Sequence, residues 1–187
     1  MMIEVIYIIA SYLIGTIMTA FIVMRIKNGD DIRKMGSGNV GARNVGRLIG
    51  KKGFLITAVG DGLKGVLVIG GAKYLDFSVE VQLLAMLAVV VGHIWPVTLR
   101  FKGGLGIATF IGALLTFHPV VTLVFVIIFF IFLLILRSVT LAAMSGFVLI
   151  PIILLYISHS ITSFILIGIV VTIMIYVHWD GIKEKLE

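Results

Sequence analysis

Residues 120–136 read VVTLVFVIIFFIFLLIL, a run of 17 residues without a charged side chain. The run is continuously apolar and does not alternate between apolar and polar residues, so it predicts a helix and not a strand. Its length lies within the range that an α-helix needs to cross the hydrocarbon core of a bilayer. This stretch therefore decides the fold class, because it predicts a helix that spans a membrane.

The whole chain has the same apolar character. Of its 187 residues, 60% are hydrophobic and 13% are charged, and the mean hydropathy is +1.22. A soluble domain of this length could not bury so much nonpolar surface, so a soluble globular fold is excluded. The 21 glycines fit membrane helices, in which glycine lets two backbones approach closely. The absence of cysteine excludes disulfides and thiol ligands.

Seven apolar segments are predicted to be membrane-spanning α-helices. They lie at about residues 3–24, 53–72, 81–99, 104–117, 120–136, 139–158 and 160–177. The fourth segment is short for a bilayer, so both six and seven crossings fit the sequence. The first segment has no basic region before it, so it is interpreted as a retained helix and not as a cleaved signal peptide. We predict one all-α integral membrane domain over residues 1–187.

The distribution of lysine and arginine predicts the orientation in the membrane. With seven spans, thirteen of the 15 basic residues fall on one face. They are Arg25, Lys27, Arg33, Lys34, Arg43, Arg47, Lys51, Lys52, Arg100, Lys102, Arg137, Lys183 and Lys185. The opposite face has Lys73, and Lys64 lies inside the second span. By the positive-inside rule the N-terminus is outside and the tail is cytoplasmic, so the net charge of +6 reflects topology and not a nucleic-acid partner.

The first predicted cytoplasmic connection contains an unusual polar loop, GSGNVGARN, at residues 36–44. Its uncharged hydrogen-bonding side chains belong to Ser37, Asn39 and Asn44. Arg43 and Arg47 are four residues apart and would share one face of a helix. A hydroxyl, amides and guanidinium groups together are typical of a phosphate-binding site.

The glycines of this loop favour the same interpretation. Gly36, Gly38 and Gly41 can adopt positive φ and let backbone N–H groups approach an anion closely. A short glycine pattern is a weak signal, however, and the usual dinucleotide interpretation lacks its preceding strand. A glycine-rich turn flanked by topogenic positive charge explains the loop equally well.

The third connection, GHIWPVTLRFKGGLGIAT at residues 92–109, has a similar composition. Lys102 precedes Gly103, Gly104 and the start of a helix, where a cation beside exposed amides favours an anion. His93 lies near the end of the third span. A membrane anchor is the alternative role for Lys102, and a carbonyl-bonded histidine at a helix end is the alternative for His93.

Two further positions combine charge or imidazole with the spans. Asp61 and Lys64 are three residues apart inside the second span, so they should lie on one helix face and form a pair. We expect Asp61 to orient a basic residue that binds the ligand. The last span runs into YVHWDGIKEKLE, which puts His178 at the cytoplasmic boundary.

Several catalytic patterns are absent from the sequence. There is no H-x-x-x-x-D acyltransferase box, because Thr98 stands where the aspartate would follow His93. There is also no Walker lysine motif, no zinc-spaced cluster and no convincing Ser-His-acid set. His118 and His159 are expected to be solvated in turns on the opposite face. Any transfer reaction must therefore rest on positioning and charge stabilisation.

The chain resembles the PlsY family of integral-membrane acyltransferases over essentially its whole length. GSGNVGARNVGR at residues 36–47 and the H-x-x-P and F-K-G-G core of residues 92–109 carry the resemblance. DGLKG at residues 61–65 also falls where the family has an aspartate and a lysine. The resemblance implies transfer of an acyl group from acyl phosphate to glycerol 3-phosphate, giving lysophosphatidate and phosphate for phospholipid synthesis. It further implies a monomer without metal or cofactor, in a bacterial inner membrane, with its site open to the cytoplasm.

The motifs and the resemblance together predict the site residues. The predicted catalytic residues are Ser37, Asn44, His93 and His178. The predicted substrate-binding residues are Gly38, Asn39, Arg43, Arg47, Asp61, Lys64, Lys102, Gly103 and Gly104. We expect one cytoplasmic cavity to be surrounded by Ser37, Asn39, Arg47, Lys102 and His178. The acyl chain is expected to lie between apolar helices and to enter from the lipid.

The chain departs from the family pattern at several positions. The family usually has threonine at the position of Arg43 and a second lysine at that of Leu105. Its third motif, near H-R-x-N-I-x-R-L, here reads HWDGIKEKLE, so Gly181 replaces an asparagine and Glu184 an arginine. We expect Arg43 to compensate for the missing lysine. The alternative is an altered or inactive PlsY-like protein that binds or transports a phosphorylated small molecule or lipid.

Overall fold

The computed structural model describes residues 1–158 and 160–186, and within these ranges it contains helices and connecting segments but no strand. The α-helices are α1 (Met2–Gly15), α2 (Thr19–Asn28), α3 (Ala42–Ile49), α4 (Lys51–Tyr74), α5 (Val79–Ile94), α6 (Ile107–Phe117), α7 (Pro119–Leu136), α8 (Val139–Ser158), α9 (Ile161–Val177) and α10 (Trp179–Leu186). Two short 3₁₀ helices lie at Ile32–Lys34 and Val97–Leu99. The prediction of an all-α fold is confirmed.

Among the described residues, five segments are long and apolar enough to span a membrane. They are Met2–Lys27, Lys51–Tyr74, Val79–Leu99, Pro119–Leu136 and Val139–Ser158. α9 and α10 give a sixth if they are counted together, although they meet at an angle of 61°. α6 has 11 residues, about 17 Å of helix, which is too short for a hydrocarbon core of about 30 Å. The chain is an integral membrane protein with five or six complete helical spans and one shorter apolar helix.

The short helix α6 packs beside α4 and runs in the same direction. Near the start of α6, the Thr109 hydroxyl donates to the carbonyl of Asp61, in the middle of α4, at 3.0 Å. At the end of α6, the Phe117 carbonyl accepts from Lys73 Nζ at 3.0 Å. A Cβ at Gly65 would overlap with the Thr109 carbonyl, so the missing side chain lets the two backbones touch. α6 therefore lies beside the C-terminal half of α4.

The predicted first span is interrupted. α1 ends at Gly15 and α2 begins at Thr19, so backbone groups between the two helices lose their helical partners. A Cβ at Gly15 would overlap with the Val89 carbonyl of α5, so this glycine allows α1 and α5 to pack closely. The sequence predicted one continuous helix over residues 3–24, because the segment is apolar throughout and contains no proline.

Two clusters of buried apolar side chains hold the helices in place. The larger joins α4 to α10 and includes the stacked rings of Phe125 and Phe147, whose centroids are 4.6 Å apart. Ile182 of α10 also belongs to it, so the last helix is fixed to the bundle. The smaller cluster consists of Met18, Ala20, Met24, Ile32, Val40, Val45 and Leu99. It anchors the loop of residues 36–44 against α2.

The two histidines that were expected in solvated turns differ in outcome. His118 is half-buried and caps α7, because its Nδ1 accepts from the Val121 amide at 3.3 Å. The expectation of a solvated side chain is therefore wrong for His118. His159 lies outside the described residues.

Candidate functional site

A cleft of about 440 Å³ lies where α3, α4 and α5 face α6, α7 and α8. The polar side chains that line it are those of Asn39, Arg43, Asp61, His93 and Thr140. Its larger apolar side chains are those of Phe54, Leu105, Ile107, Ile111, Phe125, Val126, Phe129, Phe130 and Val139. A pocket that is mostly apolar with a few convergent polar groups is typical of a small-molecule site. This cleft can hold a ligand that has both a polar group and a long apolar part.

A buried group of hydrogen-bonded side chains lies at the polar side of the cleft. It consists of Asp61, Lys64, His93 and Thr109, and we call it the buried polar cluster. Lys64 Nζ is 3.2 Å from Asp61 Oδ1 and 2.9 Å from His93 Nδ1. The same ammonium group donates to the carbonyls of Gly15 and Ile17 at 3.1 and 2.8 Å. Lys64 therefore joins the cleft to the break between α1 and α2.

The predicted pairing of Asp61 with Lys64 is confirmed, and the substrate-binding role of Lys64 stays a prediction. Lys64 is 5% exposed, and its ammonium group is surrounded by acceptors from the protein itself. Asp61 Oδ1 also accepts a hydrogen bond, at 3.3 Å, from the amide of Thr19, the first residue of α2. The pair thus satisfies both carbonyls and an amide at the helix break. Asp61 therefore orients Lys64 at the helix break.

Asn44 holds the first loop together. Its Nδ2 donates to the carbonyls of Met35 and Asn39, both at 3.0 Å. Its Oδ1 accepts from the Ser37 amide at 3.1 Å, and the side chain is 1% exposed. The donors of the amide group are thereby used by the backbone of the loop, which gives Asn44 a structural role, and its predicted catalytic role stays a prediction.

The loop glycines differ in backbone conformation. Gly36 and Gly38 have φ of 56° and 73°, as predicted, whereas Gly41 is extended with φ of −148°. The Gly38 amide donates to the Met35 carbonyl at 2.9 Å, and its predicted contact with substrate stays a prediction. Ser37 is exposed, and its predicted contact with substrate stays a prediction.

Gly103 and Gly104 are close-packing positions. Their amides donate to the carbonyls of Ile94 and His93 at 3.2 and 3.0 Å, and their predicted phosphate contact stays a prediction. A Cβ at Gly104 would overlap with His93 Nε2, which explains why the position needs glycine. The Gly103 carbonyl accepts from the Val40 amide at 3.3 Å. The first and third connections therefore meet, as the sequence predicted.

The predicted cations differ in their positions. Arg43 lines the cleft, and its Nη1 donates to Thr140 Oγ1 at 3.2 Å. Arg43 and Arg47 also line a neighbouring groove of about 330 Å³, together with Lys51 and Phe54. The side chain of Lys102 is exposed and lines neither space. Arg43 is therefore the predicted cation that faces the cleft directly.

His178 has an unused lone pair. It follows α9, is 5% exposed, and its Nδ1 lies 2.7 Å from the Met174 carbonyl. Because a carbonyl only accepts, Nδ1 carries the hydrogen and Nε2 carries the lone pair. Among the described residues Nε2 has no hydrogen-bond partner. Burial lowers the pKa of His178 and the positive charge of Arg43 adds to this, against the opposing bond to Met174, so the imidazole is neutral at pH 7.

The five residues expected around one cavity differ in their positions. Asn39 lines the cleft, and Arg47 lines the neighbouring groove. Ser37 and Lys102 are exposed outside both spaces, and His178 is buried near the charge of Arg43, which lines both. The shared cavity of all five residues stays a prediction.

Some contributors to the site carried no signal in the sequence. The Arg33 guanidinium lies 2.6 Å from Asp31 Oδ2, and this hydrogen bond lowers the pKa of Asp31 to about 2. Arg33 also donates to the Leu99 carbonyl at 3.1 Å and so ties the first connection to the third. Thr109 and Thr140 were missed as partners of His93 and Arg43, since lone threonines in apolar segments are common.

Comparison with known proteins gives one consistent family. The family described as glycerol-3-phosphate acyltransferase matches residues 5–187. The chain is 43% identical to glycerol-3-phosphate acyltransferase 1 of Bacillus cereus strain ATCC 14579, over 94% of this chain and 96% of that protein. It is 38% identical to the glycerol-3-phosphate acyltransferase of Ruthia magnifica, over 98% and 93% of the two chains.

Solved structures agree with the sequence relatives. The crystal structure of PlsY in its glycerol 3-phosphate form superposes with a TM-score of 0.88 at 31% identity, over 98% of this chain and 92% of that chain. The lysophosphatidic acid form of PlsY gives a TM-score of 0.86 at 29% identity, over 98% and 91%. PlsY is described there as an integral membrane glycerol 3-phosphate acyltransferase.

The structural role of Asn44 can be tested by stability. Asn44→Ala should lower the melting temperature of the purified protein, because the Ser37 amide and two carbonyls lose their partner. Each buried group left unpaired costs about 1–3 kcal/mol. Arg47→Ala, an exposed change on the same helix, should leave the melting temperature unchanged. An Asn44→Ala protein with unaltered melting and unaltered proteolysis of the loop would contradict the structural assignment.

Proposed function

The chain belongs to the glycerol-3-phosphate acyltransferase family, and from this premise we propose that it acylates glycerol 3-phosphate with an acyl phosphate as the donor. The enzyme is a membrane acyltransferase of phospholipid synthesis. The observation that carries the proposal is the cleft, which combines Arg43, Asn39 and His93 with a long apolar lining. A phosphorylated acceptor needs the polar part and an acyl chain needs the apolar part. The ligands named for the two PlsY structures, glycerol 3-phosphate and lysophosphatidic acid, support this pair.

An acyl phosphate suits a site without strong nucleophiles. It is a mixed anhydride, so a hydroxyl oxygen of glycerol 3-phosphate can attack the acyl carbon directly. The bond from that carbon to the phosphate oxygen breaks, inorganic phosphate leaves, and lysophosphatidate remains. The protein then has to hold two anions close together and stabilise the charge that develops on the carbonyl oxygen.

We assign the phosphate contacts to the side chains that remain free at the edge of the first and third connections. Ser37, Arg47 and Lys102 are exposed there, so their hydroxyl, guanidinium and ammonium groups are accessible to an anion. Asn39 and Arg43 line the cleft itself and can reach a second anion. Two anions held by separate cations fit a reaction with two phosphorylated substrates.

His178 and His93 are assigned to the reacting groups. The buried lone pair on His178 Nε2 can accept a hydrogen bond from the acceptor hydroxyl and so orient its oxygen. His93 lines the cleft, and Lys64 holds it in position through its Nδ1. His93 can therefore contact the acyl phosphate. Neither role requires a covalent intermediate.

The acyl chain is assigned to the space between α6, α7 and α8. Ile111, Phe125 and Phe129 line this part of the cleft, and Phe130 is 57% exposed on the outer surface of the bundle. The lining therefore extends from the polar side chains to a surface that faces lipid. A chain can enter sideways from the bilayer without passing through water.

A non-catalytic binding or transport function is less well supported. A transporter needs free polar groups near the middle of the membrane, but Asp61 and Lys64 are engaged with each other and with the α1–α2 break. The altered third motif does not remove His178. These observations favour an enzyme whose substrate contacts have diverged.

We further propose seven crossings, with the N-terminus outside and the tail in the cytoplasm of a bacterial inner membrane. α6 begins level with Asp61 and ends level with Lys73, so it covers the half of the membrane in which α4 ends. The non-helical residues 103–106, of which Gly104 and Gly106 are buried, would lie in the other half. We also propose that the functional unit is a monomer.

Single cysteines test this topology, because the chain has none of its own. With seven crossings, Glu80→Cys should react with a membrane-impermeant maleimide in intact cells, whereas Lys183→Cys should react only after permeabilisation. With six crossings both would lie on the outer face. Labelling of Lys183→Cys in intact cells would overturn the proposed orientation and the cytoplasmic site.

Lys102 provides the sharpest test of the phosphate contacts. Purified protein should release phosphate and form lysophosphatidate from acyl phosphate and glycerol 3-phosphate, and Lys102→Ala should lower kcat/KM by about one to two decades. A charge-assisted contact is worth about 1.5–3 kcal/mol, which gives this range. Arg100→Ala removes an exposed cation from the same connection and should have little effect. Turnover with an acyl thioester but not with acyl phosphate would refute the proposed donor.

The compensation between Arg43 and Leu105 can be measured by a double-mutant cycle. Both residues line the cleft, so a charge at either position can act on the same anion. Arg43→Thr should raise the KM for the phosphorylated substrate, and Leu105→Lys should restore it in the double variant. Coupling of this kind is absent between independent sites. Equal activity of all three variants would show that the charge of Arg43 contributes only to the orientation of the chain in the membrane.

A further inference from the structure

We propose that Lys64 is a positioning residue that holds His93 as the neutral tautomer with its hydrogen on Nε2, so that His93 donates a hydrogen bond into the cleft. The position of His93 alone leaves open whether its imidazole donates or accepts there. The surroundings of its buried nitrogen, Nδ1, decide between the two.

The neighbours of Lys64 require it to be a charged donor. Its Nζ lies 3.1, 2.8 and 3.2 Å from Gly15 O, Ile17 O and Asp61 Oδ1, and these three oxygens are acceptors. A lysine ammonium group has donors and no lone pair. His93 Nδ1 is the fourth neighbour, at 2.9 Å. The three hydrogens of the ammonium group are shared among these four neighbours, and Nδ1 must present its lone pair to Nζ, because an N–H there would face a positive charge that has no lone pair to accept it.

Thr109 is the alternative partner of the same nitrogen. Its Oγ1 is 3.2 Å from His93 Nδ1, so it could accept a hydrogen from Nδ1 in the opposite tautomer. In that tautomer the hydrogen on Nδ1 would also lie close to the Lys64 ammonium group, which is nearer to Nδ1 than Thr109 is. The Thr109 hydroxyl also donates its own hydrogen to the Asp61 carbonyl at 3.0 Å. The charged neighbour, which is closer, therefore sets the tautomer.

The other ring nitrogen is then the protonated one and belongs to the cleft side. His93 lines the cleft, and Gly104 leaves the space beside Nε2 without a side chain. Lys64 is bonded to the carbonyls at the end of α1 and paired with Asp61 within α4. Contacts to these two helices therefore fix the position of the His93 ring. Lys64 thus acts on the ligand only through His93.

The chemical consequence rests on the proposed function. A neutral imidazole that donates from Nε2 cannot remove a proton from the acceptor hydroxyl. It can stabilise negative charge that develops on the carbonyl or leaving phosphate oxygen of the acyl phosphate, as a preorganised donor does. The two histidines then have opposite roles, since His178 offers a lone pair and His93 a hydrogen.

The tautomer is observable without any substrate. Nitrogen-15 NMR of histidine-labelled protein in detergent or nanodiscs separates protonated from unprotonated ring nitrogens, and His93→Gln assigns the signals of His93. The wild-type protein should show Nε2 protonated and Nδ1 unprotonated. A wild-type spectrum with Nδ1 protonated overturns the proposal whatever the activity is.

Matched variants test the cause. Lys64→Met should lose the tautomer preference, with Nδ1 gaining a hydrogen that Thr109 accepts. Lys73→Met makes the same change on the same helix, at an exposed residue, and should leave the His93 signals unchanged. Thr109→Val should also keep the wild-type tautomer, because Lys64 remains. If Lys64→Met folds and its spectrum is unchanged, or if Thr109→Val alters the tautomer, the assignment to Lys64 is wrong.

Kinetics separates positioning from binding. Lys64→Met should lower kcat by about 10²-fold, the lower end of the effect of removing an oxyanion donor, while the KM for glycerol 3-phosphate stays within a few-fold. A change in KM with constant kcat would overturn the positioning role. The predicted tautomer together with no turnover of acyl phosphate by the wild type would instead refute the proposed function and leave the tautomer assignment standing.

Discussion

The buried ammonium group of Lys64 is the interaction on which the rest of the structure depends. A charge at this depth in a membrane protein is tolerated when it is paired. Lys64 binds the Gly15 and Ile17 carbonyls, while Asp61 binds the Thr19 amide, so the broken first span keeps partners for its backbone. Loss of one member of a buried pair costs about 3–5 kcal/mol, a large share of the stability of an ordinary domain. The helix break and the cleft are therefore one structural unit.

The same need for backbone partners explains how the two cytoplasmic connections are built. Non-helical backbone within a membrane protein must bond to protein or line a wet cavity. Val40 bonds to Gly103, the Arg33 guanidinium bonds to the Leu99 carbonyl, and Asn44 closes the first loop on itself. These contacts give the carbonyls of Met35, Leu99 and Gly103 and the amide of Val40 partners within the protein. Side-chain and backbone groups of both connections are thereby held in fixed positions relative to each other.

The sequence was informative where a feature depends on composition or on spacing along one helix. The apolar segments predicted the membrane helices, and the three-residue spacing of Asp61 and Lys64 predicted their pairing. It misled where a role depends on contacts between distant segments. Gly103 and Gly104 have the composition of an anion site, but whether their amides are free is decided by the end of α5. No proline marks the break after Gly15. The side chain that stabilises the break, Lys64, lies in another helix, so the local sequence does not predict it.

The departures from the family pattern fall where the fold does not depend on them. A Cβ at Gly181 would meet nothing within 4 Å, and Glu184 is exposed, so both positions on α10 are free to vary. α10 is held by buried Ile182, and His178 before it keeps its bond to Met174. A changed side chain at either position of α10 therefore leaves the buried polar cluster intact. Because Lys64 and Asp61 position His93 from within the bundle, substrate contacts at the rim can diverge while the geometry of the reacting groups is retained.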